Sequence, residues 1–157
     1  MGDALRRGDQ GNGLSESELA ATAWAQARGW VDDAVYRSVE RADVPEPLAM
    51  SVATVDAAGR PDVRTVLMRF FSPAGPGFLS NLQSAKGEQI AGNPAVAAAL
   101  VWPAMYRAIR FRGMAHQLGR EEVERYFGQR PWGSRLSAWA SRQSPVVDGR
   151  SPLEEAS

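Results

Sequence analysis

The N-terminal part of the chain carries apolar side chains at roughly helical spacing. Residues 15–18 contain two glutamates, which favour the positive end of a helix, so a helical region is predicted to open there. Gly29 falls in the middle of the pattern and predicts a break into two helices. Prolines at positions 45 and 47 end the helical region. The apolar positions are Trp24, Trp30, Val31, Val35 and Val39.

Between residues 48 and 118 the pattern changes to short runs of strand-like residues separated by Gly- and Pro-rich turns. The alternation is clearest near the end, where Ile109 and Phe111 share one side and Arg110 and Arg112 share the other. These runs predict a meander of antiparallel strands. The predicted strands are residues 48–55, 63–71, 78–81, 95–102 and 106–118.

Three further helices are predicted, at residues 84–91, 120–127 and 133–142, the first with Ser84 as its N-cap. The order of elements is helices, then strands with one inserted helix, then helices. That order differs from the strict strand–helix alternation of a doubly wound sheet, and it predicts an α+β fold with an antiparallel barrel flanked by helices. We expect one domain over residues 14–157, after a flexible leader at residues 1–13.

Composition narrows the classes of function. The formal net charge of zero argues against a nucleic-acid partner, which needs clustered positive charge. The chain has no cysteine and only one histidine, His116, which argues against a thiolate nucleophile, a metal site and a Ser-His-Asp triad. No apolar run approaches the ~20 residues needed to cross a bilayer, so no membrane association and a cytoplasmic location are expected.

Two segments carry charges suited to an anion. Arg64 and Arg69 lie on opposite faces of a predicted strand, which is equally compatible with an ordinary strand that has charged ends. Residues 81–87 open a helix and include Lys86, the only lysine. A helix start and an ammonium both favour an anion, although a capped surface helix explains the same residues and the glycine spacing of nucleotide-binding loops is absent.

A third segment places Tyr126, Arg130 and Ser134 at four-residue intervals. The first two share a helix face, Pro131 ends the helix, and the serine follows. A guanidinium with neighbouring hydroxyls can bind phosphate oxygens. The alternative is a helix C-terminus with an arginine that the helix dipole favours.

In this order, these segments resemble the pyridoxamine 5′-phosphate oxidase family. The resemblance runs from about residue 47 to residue 144 and depends on the joint order of the pieces. The matching pieces are residues 48–56 (Leu-Ala-Met-Ser-Val-Ala-Thr-Val-Asp), 64–69 (Arg-Thr-Val-Leu-Met-Arg), 80–84 (Ser-Asn-Leu-Gln-Ser), Lys86, 90–94, and a tail with Tyr126, Arg130, Ser134, Gln143 and Ser144.

The resemblance implies a split β-barrel that binds flavin mononucleotide (FMN), usually as a homodimer with flavin sites at its interface. The implied reaction oxidises pyridoxamine or pyridoxine 5′-phosphate to pyridoxal 5′-phosphate without a protein nucleophile, so no catalytic residue is assigned. The implied cofactor residues are Arg64, Thr65, Val66, Leu67, Met68, Arg69, Ser80, Lys86, Gln143 and Ser144. The implied substrate residues are Arg69, Tyr126, Arg130 and Ser134.

The chain departs from the family pattern at several positions. Arg69 stands where the family commonly has lysine, Ala85 replaces an arginine and Ala108 replaces a glutamine. The family's C-terminal segment, which follows the Gln-Ser pair, is expected to be missing. Two alternatives therefore stay open: a protein that binds FMN or pyridoxal phosphate without turnover, and an FMN oxidase of another substrate, as in phenazine biosynthesis.

Overall fold

The structure, a computed structural model, describes residues 13–129 together with residues 132 and 133. Helix α1 spans Ala23–Glu40, and the side chain of Thr22 caps it by accepting a hydrogen bond from the Ala25 amide at 3.1 Å. The predicted helix start at residue 15 was wrong, because Ser15 and Glu18 form a reciprocal capping box on a separate short 3₁₀ helix, Glu16–Glu18.

The predicted break at Gly29 was also wrong, since α1 continues through it. A helical glycine costs about 1 kcal/mol relative to alanine. Here Val31 and Ala34 follow it into the core, and they are 5% and 0% exposed. Burial of the helix face outweighs the cost of one glycine, which is why a local propensity did not decide the outcome.

Five strands form one sheet, in the order β3-β2-β1-β4-β5. The α+β class with an antiparallel split-barrel sheet and helices is confirmed. Helix α2, Ala85–Gly92, lies between β3 and β4 in the chain, and helix α3, Arg120–Gln129, follows β5. The strands are β1 Ala49–Val55, β2 Pro61–Ser72, β3 Gly75–Phe78, β4 Ala95–Trp102 and β5 Arg107–Met114.

Strand β3 begins and ends three residues earlier than residues 78–81, where the sequence predicted it. The Gly-Pro-Gly run was interpreted as a turn, but it pairs with the end of β2, and the chain reverses at Pro73 and Ala74 instead. Because β3 lies at the edge of the sheet, proline and glycine are tolerated in it. Strand β5 is also shorter than predicted and ends at Met114.

A β-bulge interrupts the pairing of β2 with β3. Met68 pairs with Phe78 and Phe70 pairs with Gly77, so Arg69 is the extra residue. A Cβ at Gly77 would lie 3.2 Å from the Phe70 Cβ, which shows how closely the phenylalanine packs over the glycine. Phe71, the next residue, packs against the core.

The described chain divides into two compact units. The first unit consists of the described residues up to Val52, Arg64–Leu79 and Ala97–Phe111. The second unit consists of Ala53–Val63, Ser80–Val96 and the described residues from Arg112 onward. The first unit holds an apolar core. Its buried members are Val31, Ala34, Val44, Met50, Val52, Met68, Leu100, Trp102 and Met105.

Several predictions lie outside the described residues. The leader at residues 1–13 falls almost wholly there, as does nearly all of the helix predicted at residues 133–142. Helix α3 is confirmed and extends to Gln129, two residues beyond its predicted end.

Candidate functional site

The second unit places a tight turn directly before helix α2. Ser84 caps the helix, as predicted, by accepting a hydrogen bond from the Gly87 amide at 3.3 Å. Its hydroxyl also donates to the Asn81 carbonyl oxygen at 2.6 Å, and the Asn81 side chain accepts from the Gln83 amide at 2.8 Å. Ser84 is fully buried, so its hydroxyl joins the turn and the helix from the inside.

Lys86 is buried beside this hydroxyl. It is 6% exposed, and its Nζ donates to the Ser84 Oγ at 3.1 Å. Buried ammonium groups are costly unless they are hydrogen-bonded or paired. The contact joins residues two apart, so the long side chain folds back toward the N-terminal end of α2, where the helix dipole is also positive. The ammonium and the positive end of the helix dipole both favour a bound anion at the start of α2.

Ser80 lies on the exposed side of this turn, beside Ser84. Its Oγ is 3.4 Å from the Ser84 Oγ and 3.4 Å from the Asn81 carbonyl oxygen, both at the long limit of a hydrogen bond. The Ser84 hydroxyl already donates once and accepts twice, which is its full capacity. The exposed Ser80 hydroxyl is therefore weakly held within the protein and well placed to meet a ligand.

Gly87 allows the turn to approach the helix. A Cβ at this position would lie 2.7 Å from the Leu82 carbonyl carbon and 2.9 Å from the Asn81 oxygen, which no real Cβ tolerates without movement. This requirement was not predicted from the sequence. A glycine in the first turn of a short helix was the available signal, but glycine is needed because the preceding turn lies so close to the helix.

A polar network ties α2 to the strands of the same unit. The Thr54 hydroxyl on β1 donates to the Gln89 side-chain oxygen, and the Gln89 amide lies 3.5 Å from the Asp62 carboxylate on β2. Thr54 is 1% exposed. These three residues were not singled out from the sequence, because nothing in a strand pattern shows which buried threonine meets which helix.

In the first unit, β2 presents its predicted cofactor residues on two faces. Val66 and Met68 pack into the core, so only their backbone is available to a ligand. Arg64 lies on the same face, half-buried, and donates to the Val52 carbonyl oxygen at 3.2 Å. The other predicted residues, Thr65, Leu67 and Arg69, are exposed. The alternation predicted from the sequence is confirmed.

The predicted substrate site is described only in part. Tyr126 lies on α3 and is half-buried. Arg130, Ser134, Gln143 and Ser144 lie outside the described residues, so their predicted roles stay predictions. Of the predicted residues, Ser80 and Lys86 are the two that the structure brings together, through Ser84.

The departures Ala85 and Ala108 are both exposed, the first beside Lys86 and the second on β5. Within the described part of the chain, no cluster of three or more His, Asp or Glu side chains is arranged to hold a metal ion. None of the helices among the same residues has the length and apolar character of a membrane span.

Comparison with known proteins adds an independent line of evidence. A family model described as pyridoxamine 5′-phosphate oxidase matches residues 38–155. A curated relative from Pseudomonas paraeruginosa, named pyridoxine/pyridoxamine 5′-phosphate oxidase, is 43% identical over 150 residues. That alignment covers 96% of this chain and 68% of the relative.

Two solved structures share the fold. PhzG from Burkholderia lata 383, in complex with tetrahydrophenazine-1-carboxylic acid, matches with a TM-score of 0.81 and 21% identity, covering 92% of this chain and 70% of PhzG. A pyridoxamine 5′-phosphate oxidase-related, FMN-binding protein from Nostoc punctiforme matches with a TM-score of 0.61 and 21% identity, covering 87% and 73%. At this level of identity the two structures support the fold.

Proposed function

The chain belongs to the pyridoxamine 5′-phosphate oxidase family, and from that premise we propose that it is an FMN-dependent oxidase of vitamin B6 phosphates. The proposed reaction converts pyridoxamine or pyridoxine 5′-phosphate to pyridoxal 5′-phosphate. The structural observation that carries the proposal is the buried ammonium of Lys86 at the start of α2, beside the hydroxyls of Ser80 and Ser84. A relative named pyridoxine/pyridoxamine 5′-phosphate oxidase, 43% identical, supports the choice of substrate.

The donors in the second unit fit a phosphate monoester. Lys86 offers a charged donor, and the exposed Ser80 offers a hydroxyl that the protein itself holds weakly. We assign the flavin phosphate to this pair. When bound, FMN accepts the hydride from the substrate and passes the electrons to oxygen. The remaining proposed cofactor residues are Arg64, Thr65, Val66, Leu67, Met68, Arg69, Gln143 and Ser144, with Val66 and Met68 acting through their backbone.

The proposed substrate site consists of Arg69, Tyr126, Arg130 and Ser134. The guanidinium of Arg130 binds the substrate phosphate, assisted by the two hydroxyl groups. Arg69 is exposed on β2 and keeps the positive charge of the lysine common in the family, with a different shape. These groups bind and orient the substrate, and no side chain is assigned a nucleophilic role.

We also propose that the protein is a homodimer in the cytoplasm. In the first unit, the face of the sheet that points away from the core exposes Leu67 on β2 and Val101 on β4, at 40% and 57%. A second copy would cover such apolar positions, as the family resemblance implies. Light scattering coupled to size-exclusion chromatography would show twice the 17.0 kDa chain mass, and a monomer would contradict this part of the proposal.

The absorbance spectrum of the purified protein tests the cofactor, and an assay with pyridoxamine 5′-phosphate tests the reaction. We expect a yellow protein that forms pyridoxal 5′-phosphate and consumes oxygen. The variant Arg130→Ala should lose affinity for the phosphorylated substrate while retaining FMN. A colourless protein that stays inactive with added FMN would refute the proposal.

The same assays separate the two alternatives. Tight FMN binding without formation of product would identify a flavin-binding protein without turnover. Bleaching of the flavin in the absence of oxygen by a different reduced compound would identify an oxidase of another substrate.

A further inference from the structure

We propose that Ser84 is a positioning residue, which holds the Lys86 ammonium where it can bind the flavin phosphate. This inference deepens the proposed function and rests on it. Ser84 is not among the residues assigned to the cofactor, and its hydroxyl is fully buried. It acts through Lys86 and does not itself touch the flavin.

The hydrogen-bond capacity of Ser84 supports this role. A serine hydroxyl donates once and accepts twice. Ser84 donates to the Asn81 carbonyl at 2.6 Å and accepts from the Gly87 amide at 3.3 Å and from the Lys86 Nζ at 3.1 Å. Because two of these partners are backbone groups of the turn and the helix, the oxygen that receives the ammonium is fixed in place.

The direction of the Lys86 side chain shows why its ammonium needs a hydrogen-bond acceptor at the N-cap. An ammonium on a flexible four-carbon stem would normally extend into water and away from the positive end of its own helix. Lys86 instead folds back over two residues to the N-cap and is 6% exposed. The Ser84 hydroxyl thus keeps the ammonium at the N-terminal end of α2, where a helix also favours a bound anion.

The variant Ser84→Gly separates this role from helix capping. Glycine is a good N-cap, so the substitution leaves the capped end of the helix nearly as stable, yet it removes the hydroxyl that receives the ammonium. Thr22→Gly is the matched control, because it alters the N-cap of α1 in the other unit, where Thr22 accepts from the Ala25 amide. Circular dichroism verifies that both variants keep their helices.

The first measurement compares the affinity for FMN with that for riboflavin, which lacks the phosphate. Loss of one hydrogen bond to a charged group predicts about tenfold weaker FMN binding in Ser84→Gly. Riboflavin binding should be unchanged, and Thr22→Gly should bind both as the unaltered protein does. In a Lys86→Met background, Ser84→Gly should cause no further loss, because its effect passes through the lysine.

The second measurement needs no flavin. Lys86 is the only lysine, so an amine-acylating reagent can modify this side chain and the N-terminal amine, which serves as an internal reference. We expect Lys86 to react slowly in the unaltered protein because it is buried. Ser84→Gly should react severalfold faster, and Thr22→Gly should not.

The outcomes distinguish the inference from the proposed function. If the unaltered protein prefers FMN to riboflavin and Ser84→Gly keeps both that preference and the slow acylation, the positioning role is overturned and the proposed cofactor stands. If Ser84→Gly loses equal affinity for both flavins, its role is structural and the inference is again overturned. If the unaltered protein does not distinguish the flavins, the proposed phosphate site fails, and the inference fails with it.

Discussion

The Thr54 hydroxyl on β1 donates a hydrogen bond to the side-chain oxygen of Gln89 on α2, 35 positions later in the chain. Thr54 is 1% exposed and Gln89 is half-buried, so the contact is shielded from water chiefly at its Thr54 end. The contact therefore fastens the helix that carries Lys86 to the strand beneath it, within one compact unit.

Replacing Thr54 by valine should destabilise the protein. The shape is nearly conserved, but the hydrogen bond from the buried hydroxyl to the half-buried Gln89 oxygen is lost, which costs about 0.5–1.5 kcal/mol. Urea denaturation followed by fluorescence measures the change in unfolding free energy. Thr54→Ser keeps the hydroxyl and should retain most of the stability. Equal midpoints for Thr54→Val and the unaltered protein would show that the contact contributes nothing.

Two glycine-to-alanine substitutions should act in opposite directions. At Gly87 an added Cβ would meet the backbone of Leu82, so Gly87→Ala should cost roughly 1–3 kcal/mol, the usual range for forced overpacking. Nothing lies within 4 Å of a Cβ built at Gly29, so Gly29→Ala should stabilise α1 by about 0.5–1 kcal/mol. Thermal unfolding of both variants makes the comparison, and equal shifts would contradict it.

Stability should fall in acid partly because of Asp56. Hydrogen bonds from the Arg60 amide and then from the Arg60 side chain, with a further one from the Ala58 amide, lower the pKa of this carboxyl. A lowered folded pKa means that the stabilisation is complete above the unfolded value of about 3.9 and is lost as the pH falls through the folded pKa.

The variant Asp56→Asn should therefore lose less unfolding free energy than the unaltered protein between about pH 5 and pH 3. Its side-chain oxygen can still accept from the two backbone amides. Asp43, whose pKa is lowered chiefly by Arg37, should account for part of the slope that remains. Thr22→Ala serves as the control, since it destabilises α1 without removing a titrating group. Parallel pH profiles for Asp56→Asn and the unaltered protein would contradict the assignment.

Arg107 on β5 holds α1 through two contacts in the first unit. Its guanidinium lies 2.5 Å from the Asp33 carboxylate and 5.3 Å from the centre of the Trp30 ring. Because the pair is about one-third to one-half exposed, solvent screening limits its contribution. We expect Arg107→Ala to cost about 1 kcal/mol from both contacts together.

A double-mutant cycle with Asp33→Asn isolates the ion pair from the ring contact. Arg28→Ala is the comparison on the same helix, because its partner Asp32 is more than half exposed. That variant should change the unfolding free energy by less than about 0.5 kcal/mol. A coupling energy of zero between Arg107 and Asp33 would assign the whole effect to Trp30.

The sequence predicted the elements whose signal is local. Runs of strand-like residues between turns identified β1 and β2, and the Ser84 N-cap located the start of α2 to the residue. It failed where tertiary contacts override local preference. Helix α1 continues through Gly29 because one of its faces is buried. The Gly-Pro-Gly run forms part of β3 because it pairs with the end of β2 at the edge of the sheet.

In the candidate site, too, the features with a local sequence signal were predicted, and those that depend on tertiary contacts were not. Lys86 was identified as a charge at a helix start, but its burial and its contact with Ser84 depend on how the side chain folds back. The need for glycine at position 87 depends on a carbonyl of the preceding turn. The Thr54–Gln89 contact joins distant segments, and no periodicity specifies such pairs. The spacing of residues in the sequence can indicate which side chains act together, whereas their contacts in the fold determine how each side chain is positioned.

The bulge at Arg69 changes the phase of β2. Up to Met68 the inward-facing positions are even-numbered, and after the extra residue Phe71 takes the inward position. Two phenylalanines that are adjacent in sequence thus lie on opposite sides of one strand. Phe71 packs against the core, and Phe70 packs over Gly77. If Arg69 paired with Gly77 without a bulge, Phe70 would take the inward position and Phe71 the outward one. The bulge therefore decides which of the two rings reaches the core.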